Sequence, residues 1–285
     1  MRILVVGCGK FGADIIQRLS DMGNDVVGID MDEDLVGIVN NTMDAMAVVG
    51  SGTEYDTLKE VEAGQVDLCI SCTNSDESTL LAAHLANEIG AKHTISVVRN
   101  IIHESENATF IEKSLNLDLI LNPDYLAAES IFDIIHKSGA KKVMISGGHV
   151  ITYYVTKLLI ESGHSVKIVE KYEERCAHLA SVLPEKVDIV HADGSKHEVL
   201  DKEGLTDYNA FVAITGRDEV NIISSLYVKS QGIPTVVTKI NNNSYEEIVR
   251  GLDLDNIVSP RGATFDIILS YIDGLKEEKF QSRFK

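Results

Sequence analysis

The sequence predicts an α/β protein built as two tandem Rossmann-like domains, each a doubly wound parallel sheet. Three observations predict it. A glycine-rich loop joins a strand to a helix, short apolar strands alternate with helical segments, and the whole pattern occurs twice.

In the first half, strands are expected at 2–7, 25–30, 45–49, 66–72, 93–98 and 119–121. They are short and rich in Val and Ile, as strands covered by helices on both faces must be. The segments between them carry helical spacing. Asp76–Gly90, for example, places Leu80, Leu81, Ala83, Leu85 and Ile89 on a helix and ends at a glycine. Regular strand–helix alternation implies parallel strands joined by crossovers.

The second half repeats the first. Lys142–Gly148 resembles Arg2–Cys8, and Leu158–Val166 resembles Arg18–Val26, both at an offset of 140 (Gly7 to Gly147). Asp193-Gly194-Ser195 matches Ser51-Gly52-Thr53, and Thr215–Glu219 matches Thr73–Glu77, at an offset of 142 (Thr73 to Thr215). Ser259-Pro260 matches Asn122-Pro123 at 137 (Pro123 to Pro260). Chance does not hold five such blocks in order and nearly in register. Two domains are expected, 1–138 and 139–285, meeting near the short polar joint His136-Lys137-Ser138-Gly139.

Gly7-Cys8-Gly9-Lys10-Phe11-Gly12 fits the G-x-G-x-x-G fingerprint in the context its chemistry needs, after a strand and opening a helix. Gly7 makes the tight turn. Gly9 lets a pyrophosphate approach the backbone, and Gly12 lets the helix pack closely on the sheet. The helix N-terminus then offers free N–H groups and the positive end of its dipole. The second strand ends at Asp30, 18 residues past Gly12. A carboxylate there accepts from adenosine ribose hydroxyls and repels a 2′-phosphate, which favours NAD(H) or an adenine nucleotide over NADP.

Further candidate ligand residues follow the other strands at the same sheet edge. They are Met31 after strand 2, Gly50, Ser51, Gly52 and Thr53 after strand 3, Cys72, Thr73, Asn74, Ser75, Asp76 and Glu77 after strand 4, and Arg99 after strand 5. The second copy departs from this pattern. Gly7 maps to Gly147, but Gly9 maps to His149, Gly12 to Thr152 and Asp30 to Glu170. An imidazole at the second glycine fills the pyrophosphate's space, and a β-branched third residue is expected to push helix from strand. This copy is therefore expected to bind dinucleotide weakly or not at all.

Composition narrows the function classes. A length of 285 residues suits about two domains. With 26 Lys+Arg against 44 Asp+Glu, the net charge is −18. So acidic a chain is a poor partner for nucleic acid or anionic lipid, both of which require clustered cations. No signal peptide and no apolar stretch of membrane-spanning length is visible, so a cytosolic protein is expected, with any membrane role exerted through a partner. Cys69 and Cys72 have CxxC spacing but lie in an apolar strand-like run, facing opposite sides, and read as structural. No metal site is expected. No HExxH, G-x-S-x-G, Walker A or Tyr-x-x-x-Lys arrangement is present, and no catalytic residue is assigned.

Ile3–Gly12, Gly50–Thr53, Thr73–Glu77, Val97–Asn100 and Asn122-Pro123 together resemble the nucleotide-binding RCK/KTN domain, and the tandem arrangement resembles the TrkA-like regulatory subunits of Trk potassium-uptake systems. The resemblance implies binding of NAD(H), with ATP/ADP as the alternative. It implies assembly of the chain with copies of itself into a ring, and docking beneath a potassium-translocating membrane subunit at the inner face of the membrane. Tandem members of the family usually carry a smaller subdomain after each nucleotide unit, for which Ile135 to Val143 leaves no room. The family often has an acid where Ser51 stands. The leading expectation is a non-enzymatic, nucleotide-sensing regulator of potassium uptake. The alternatives are an NAD-dependent oxidoreductase and an interaction scaffold with a vestigial site.

Overall fold

The structure, a computed structural model, describes residues 1–100, 105–242, 245, 249 and 251–282, without the side chains of 105–107 and 278–282. The first copy runs β1 (Arg2–Val6), α1 (Lys10–Asp21), β2 (Asp25–Asp30), α2 (Glu33–Thr42), β3 (Met46–Val49), α3 (Tyr55–Glu60), β4 (Leu68–Ser71), α4 (Asp76–Ile89), β5 (Thr94–Val97), α5 (Ser105–Leu115), β6 (Leu119–Leu121) and α6 (Pro123–Ser138). The second runs β7 (Lys142–Ser146), α7 (Val150–Glu161), β8 (Ser165–Glu170), α8 (Glu173–Val182), β9 (Asp188–His191), α9 (His197–Lys202), β10 (Ala210–Ala213), α10 (Asp218–Ser230), β11 (Thr235–Lys239), β12 (Asn256–Val258) and α11 (Pro260–Ser282).

Each copy forms a six-stranded sheet, in the orders β3-β2-β1-β4-β5-β6 and β9-β8-β7-β10-β11-β12. Every pairing is parallel. The two orders are the same once the repeat is aligned. In both, the order reverses beside the first strand of the copy, and open α/β sheets bind ligands in the crevice at that point. Leu4, Val6, Ile29 and Cys69 of the first sheet pack in one apolar cluster with Ala82 and Ala86 of α4. Central strands buried on both faces explain why the sequence shows continuous apolar runs rather than alternation.

Local signals account for the helix boundaries. Asp32 caps α2 by accepting from the Asp34 and Leu35 amides. Ser75 caps α4 through the Ser78 amide, and α4 stops at Gly90, whose φ of 124° is open to glycine and strained for other residues.

The compact units do not follow the repeat boundary. One comprises Met1–Pro123 with Phe265–Lys285, and the other comprises Asp124–Thr264. The sequence reading put the limit at 138/139, whereas the compact units divide near Pro123. The reason is the apolar stripe of α6. Ala127, Ala128, Ile131 and Ile135 are fully buried in the cluster that contains Val143, Val155 and Val212. Correspondingly, Ile268 and Ile272 of α11 are fully buried. Within the first unit the Arg18 guanidinium lies 4.9 Å over the Phe265 ring, and the Tyr271 hydroxyl lies 3.1 Å from His93 Nδ1.

Candidate functional site: the cleft above the first glycine loop

The loop geometry follows from the glycines. Gly7 has a φ of 103°, and a Cβ there would stand 2.8 Å from the Cys72 carbonyl oxygen. Gly12 lies against the turn, where a Cβ would stand 1.7 Å from the Gly7 oxygen. Both positions are therefore closed to side chains by the protein itself. Gly9 is different. It has an ordinary φ of −61° at the start of α1, and a Cβ there would meet nothing within 4 Å. The space above Gly9 is open cleft. The first hydrogen bond of α1 runs from the Ala13 amide to the Gly9 oxygen at 2.8 Å. By helix geometry the amides of Lys10, Phe11 and Gly12 have no intrahelical acceptor. This cradle and these donors fit a nucleotide's phosphates.

Asp30 binds the loop to the sheet. Its Oδ2 accepts the Cys8 amide at 2.6 Å, and its Oδ1 accepts the Asp32 amide at 3.0 Å. Each oxygen keeps capacity for a ribose hydroxyl. The Cys8 amide, already donating to Asp30, is not among the phosphate donors. The Gly7 amide bonds the Ile29 oxygen, and the Gly50 amide bonds the Asp30 oxygen, so strand ends and loop form one hydrogen-bonded rim.

Of the expected residues, Gly7, Gly9, Asp30, Met31, Ser51, Gly52, Thr53, Thr73 and Asn74 line one cleft. Ser51 Oγ and Thr53 Oγ1 lie 2.8 Å apart. Gly52 is required by packing, since a Cβ would stand 2.2 Å from Val6 Cγ1. The Thr73 hydroxyl pairs with that of Thr79 at 2.8 Å and donates to the Ser75 oxygen, which shapes the turn into α4.

Seven expected residues lie outside the lining: Cys8, Lys10, Phe11, Gly12, Asp76, Glu77 and Arg99. Cys8 is buried beside Gly28, and Lys10 is exposed. The carboxylate of Asp76 is buried and accepts the Arg99 and Asn100 amides at 2.9 and 2.7 Å. Asp76 therefore shapes the loop after β5. Asn122 adds to this by donating from Nδ2 to the Arg99 oxygen. Glu77 accepts from the Ser75 hydroxyl at 2.6 Å, which holds its carboxyl below the usual range.

Gly50, Cys72 and Ser75, named with the strand ends, line the cleft too, and sequence reasoning missed Val6, Ile29, Leu35, Ser78 and Ala82. Leu35 was legible as the residue one helical turn beyond Met31. Ser78 and Ala82 were legible as successive turns of α4 above Asn74.

The CxxC cysteines serve packing. Cys69 is fully buried in the core, and burial pushes its thiol up to about 12. Cys72 Sγ donates to the Gly7 oxygen at 3.5 Å, and burial pushes its thiol up as well. Neither is a thiolate at neutral pH.

The equivalent loop of the second copy is built differently. Gly147 keeps the turn, with φ 112°. The His149 imidazole lines the second cleft, and its Nε2 lies 3.1 Å from Arg175 Nη1. Thr152 is fully buried, yet it is accommodated by a bond rather than by simple displacement: its hydroxyl donates to the Gly147 oxygen at 2.7 Å. The first turn of α7 opens with the Thr152 amide on the His149 oxygen at 2.9 Å. Glu170 is 3% exposed and accepts the Tyr172 amide at 2.7 Å, as Asp30 accepts that of Asp32.

Comparison with known proteins agrees with this architecture. The Trk system potassium uptake protein TrkA of Halomonas elongata is 23% identical over 95% of this chain and 79% of its own length. The structure of GsuK bound to ADP superposes with a TM-score of 0.75 at 15% identity, covering 94% of this chain and 68% of that one. The GsuK channel bound to NAD gives a TM-score of 0.76 at 13% identity, covering 99% and 65%. The TrkA-N domain matches residues 3–123 and again 143–260, so the chain belongs to the TrkA-N domain family and carries the domain twice.

Proposed function

We propose that this chain is a non-enzymatic regulatory subunit that senses an adenine nucleotide and controls a potassium-uptake protein of the membrane. The first cleft holds NAD(H), with ATP or ADP as the alternative ligand. One observation carries the reading: the loop is closed by the protein at Gly7 and Gly12 but left open above Gly9, at the switch point of the sheet and beside the Asp30 carboxylate.

Family membership supports the physiological setting, and the relatives named above are a potassium-uptake protein and a channel. Chains assemble as a ring on the cytoplasmic side and dock on a potassium-translocating subunit. Among the described residues no helix is long and apolar enough to cross a membrane, so attachment through a partner fits. Ligands then gate by binding two ring states with different affinity, the requirement for any such coupling.

Calorimetric titration of the purified protein with NADH, NAD, ATP and ADP tests this. Binding by at least one, and its loss in Gly9→Asp, is the expected result. Heat from none of the four, or unchanged binding in Gly9→Asp, overturns the site. Turnover of a carbonyl substrate with NADH would overturn the non-enzymatic assignment.

A further inference from the structure

The second copy keeps a cleft but changes its walls. Its cavity volume is about 310 Å3, against about 230 Å3 in the first unit, so loss of the glycines has not closed it. Aligned on the repeat, Met31 and Leu35 of the first cleft become Lys171 and Arg175 of the second. Ser75 becomes Arg217, Val6 becomes Ser146 and Gly9 becomes His149. An apolar wall beside an open phosphate cradle has become a cationic wall beside a filled one. This occurs in a chain of net charge −18.

The placement of these groups is specific. The Arg175 guanidinium lies 4.8 Å over the Tyr172 ring and donates to His149 Nε2. A guanidinium cannot accept, so His149 is the acceptor at Nε2 and carries its proton at Nδ1. Arg175 thereby keeps further donors on its fork. Lys171 is paired with Asp193 at 3.2 Å and contributes charge more than a free head group. Two acids line the cleft as well: Asp193, which Lys171 pairs, and Glu170, packed under Gly148, where a Cβ would stand 2.8 Å from its Oε2. Ser146 supplies an independent observation. It lines the cleft, it is 1% exposed, and its hydroxyl has no partner among the described residues.

We propose that this second cleft binds a compact phosphoryl anion, of phosphate or pyrophosphate size, between Arg175, Arg217 and the first turn of α7, and that it takes no dinucleotide. Guanidinium forks match phosphate oxygens in geometry, and the α7 N-terminus adds dipole and amide donors. The His149 ring stands where a dinucleotide's bridging phosphates need bare backbone. The first cleft would then read an adenine nucleotide while the second reads phosphoryl anion. This assignment stands without the nucleotide reading of the first cleft.

The test is calorimetry on the full chain with pyrophosphate and with inorganic phosphate, using sodium chloride at matched ionic strength as the blank. Saturable anion binding is expected for the wild type, and one anion per chain for Gly9→Asp, in which the first cradle is filled. Arg175→Gln is expected to weaken it by about tenfold or more, the scale of one charge-assisted contact pair. Arg175→Lys, which keeps the charge but not the fork, should fall between, and Arg217→Gln serves if Arg175→Gln melts early by circular dichroism. Three results would overturn the proposal: no saturable heat from either anion, anion binding abolished by Gly9→Asp but untouched by Arg175→Gln, or two NADH bound per chain. Absence of any NADH heat would count against the first cleft alone.

Discussion

The amide of Cys8 donates to Asp30 Oδ2 at 2.6 Å, so the carboxylate that faces the cleft also clamps the glycine loop to the end of β2. Ligand binding and loop geometry therefore depend on the same group. Asp30→Ala leaves the Cys8 amide without its acceptor and removes the ribose acceptor together. Loss of a hydrogen bond to a charged group costs about 1.5–3 kcal/mol. The expected outcome is NADH affinity lowered about tenfold or more, with a lower melting temperature. Calorimetry and thermal unfolding check it, and unchanged NADH affinity would remove Asp30 from the site.

Gly9 and Gly12 separate binding from folding. A Cβ at Gly9 meets nothing, whereas one at Gly12 stands 1.7 Å from a backbone oxygen. Gly9→Ala should keep the wild-type melting temperature and lose nucleotide affinity. Gly12→Ala should be destabilised by about 1–3 kcal/mol or more, the range for overpacked sites. Paired denaturation and binding curves decide; equal stability losses in the two variants would contradict the geometry.

Asp76 was expected among ligand residues and is instead predicted to act on the loop after β5. Asp76→Ala strands the amides of Arg99 and Asn100. Hydrogen exchange at those two amides should speed up. Global stability should drop by roughly 1–3 kcal/mol, the cost of unsatisfied buried donors. The same pattern recurs at Asp218, whose Oδ2 accepts the Asn241 and Asn242 amides, so Asp218→Ala should behave alike.

His149 gives the second unit an acid-sensitive limb. Burial, then the Arg175 and Lys239 charges, hold its pKa below the usual 6.5, while Glu170 opposes them. The folded state thus disfavours the proton that the unfolded chain accepts at its ordinary pKa. By linkage the stability is fully present above pH 6.5 and is lost as the pH falls from 6.5 through the lower folded-state value. His149→Gln should flatten this limb in urea denaturation measured between neutral pH and pH 5. An unchanged limb would place the acid sensitivity elsewhere.

The fold was legible to an unusual depth because the repeat supplied an internal check. The aligned blocks recur in the structure as matching elements: β2 and β8, α2 and α8, and α4 and α10 lie at the offsets the sequence shows. Strand edges were less legible. The expected 66–72 and 93–98 shrink to Leu68–Ser71 and Thr94–Val97, although single interstrand bonds reach past them, from the Cys72 amide to the Val6 oxygen and from the Val98 amide to the Leu121 oxygen. The cleft was half legible. Residues following a strand end could be named from strand order alone, whereas Leu35, Ser78 and Ala82 enter from helix faces, and only their four-residue steps from Met31 and Asn74 pointed to them.

By itself the sequence determined the two parallel sheets, the glycine turn, the Asp30 carboxylate beside it and the loss of the second and third glycines in the second copy. These depend on local backbone freedom and on short-range periodicity, which adjacent residues encode. Only the tertiary structure decided that α6 belongs to the second core, that Asp76 serves a loop, that Thr152 is held by a hydroxyl bond, and that Arg175 donates to His149. Each of those outcomes depends on which distant groups share a buried volume. That is settled by packing and by the need to satisfy buried polar groups.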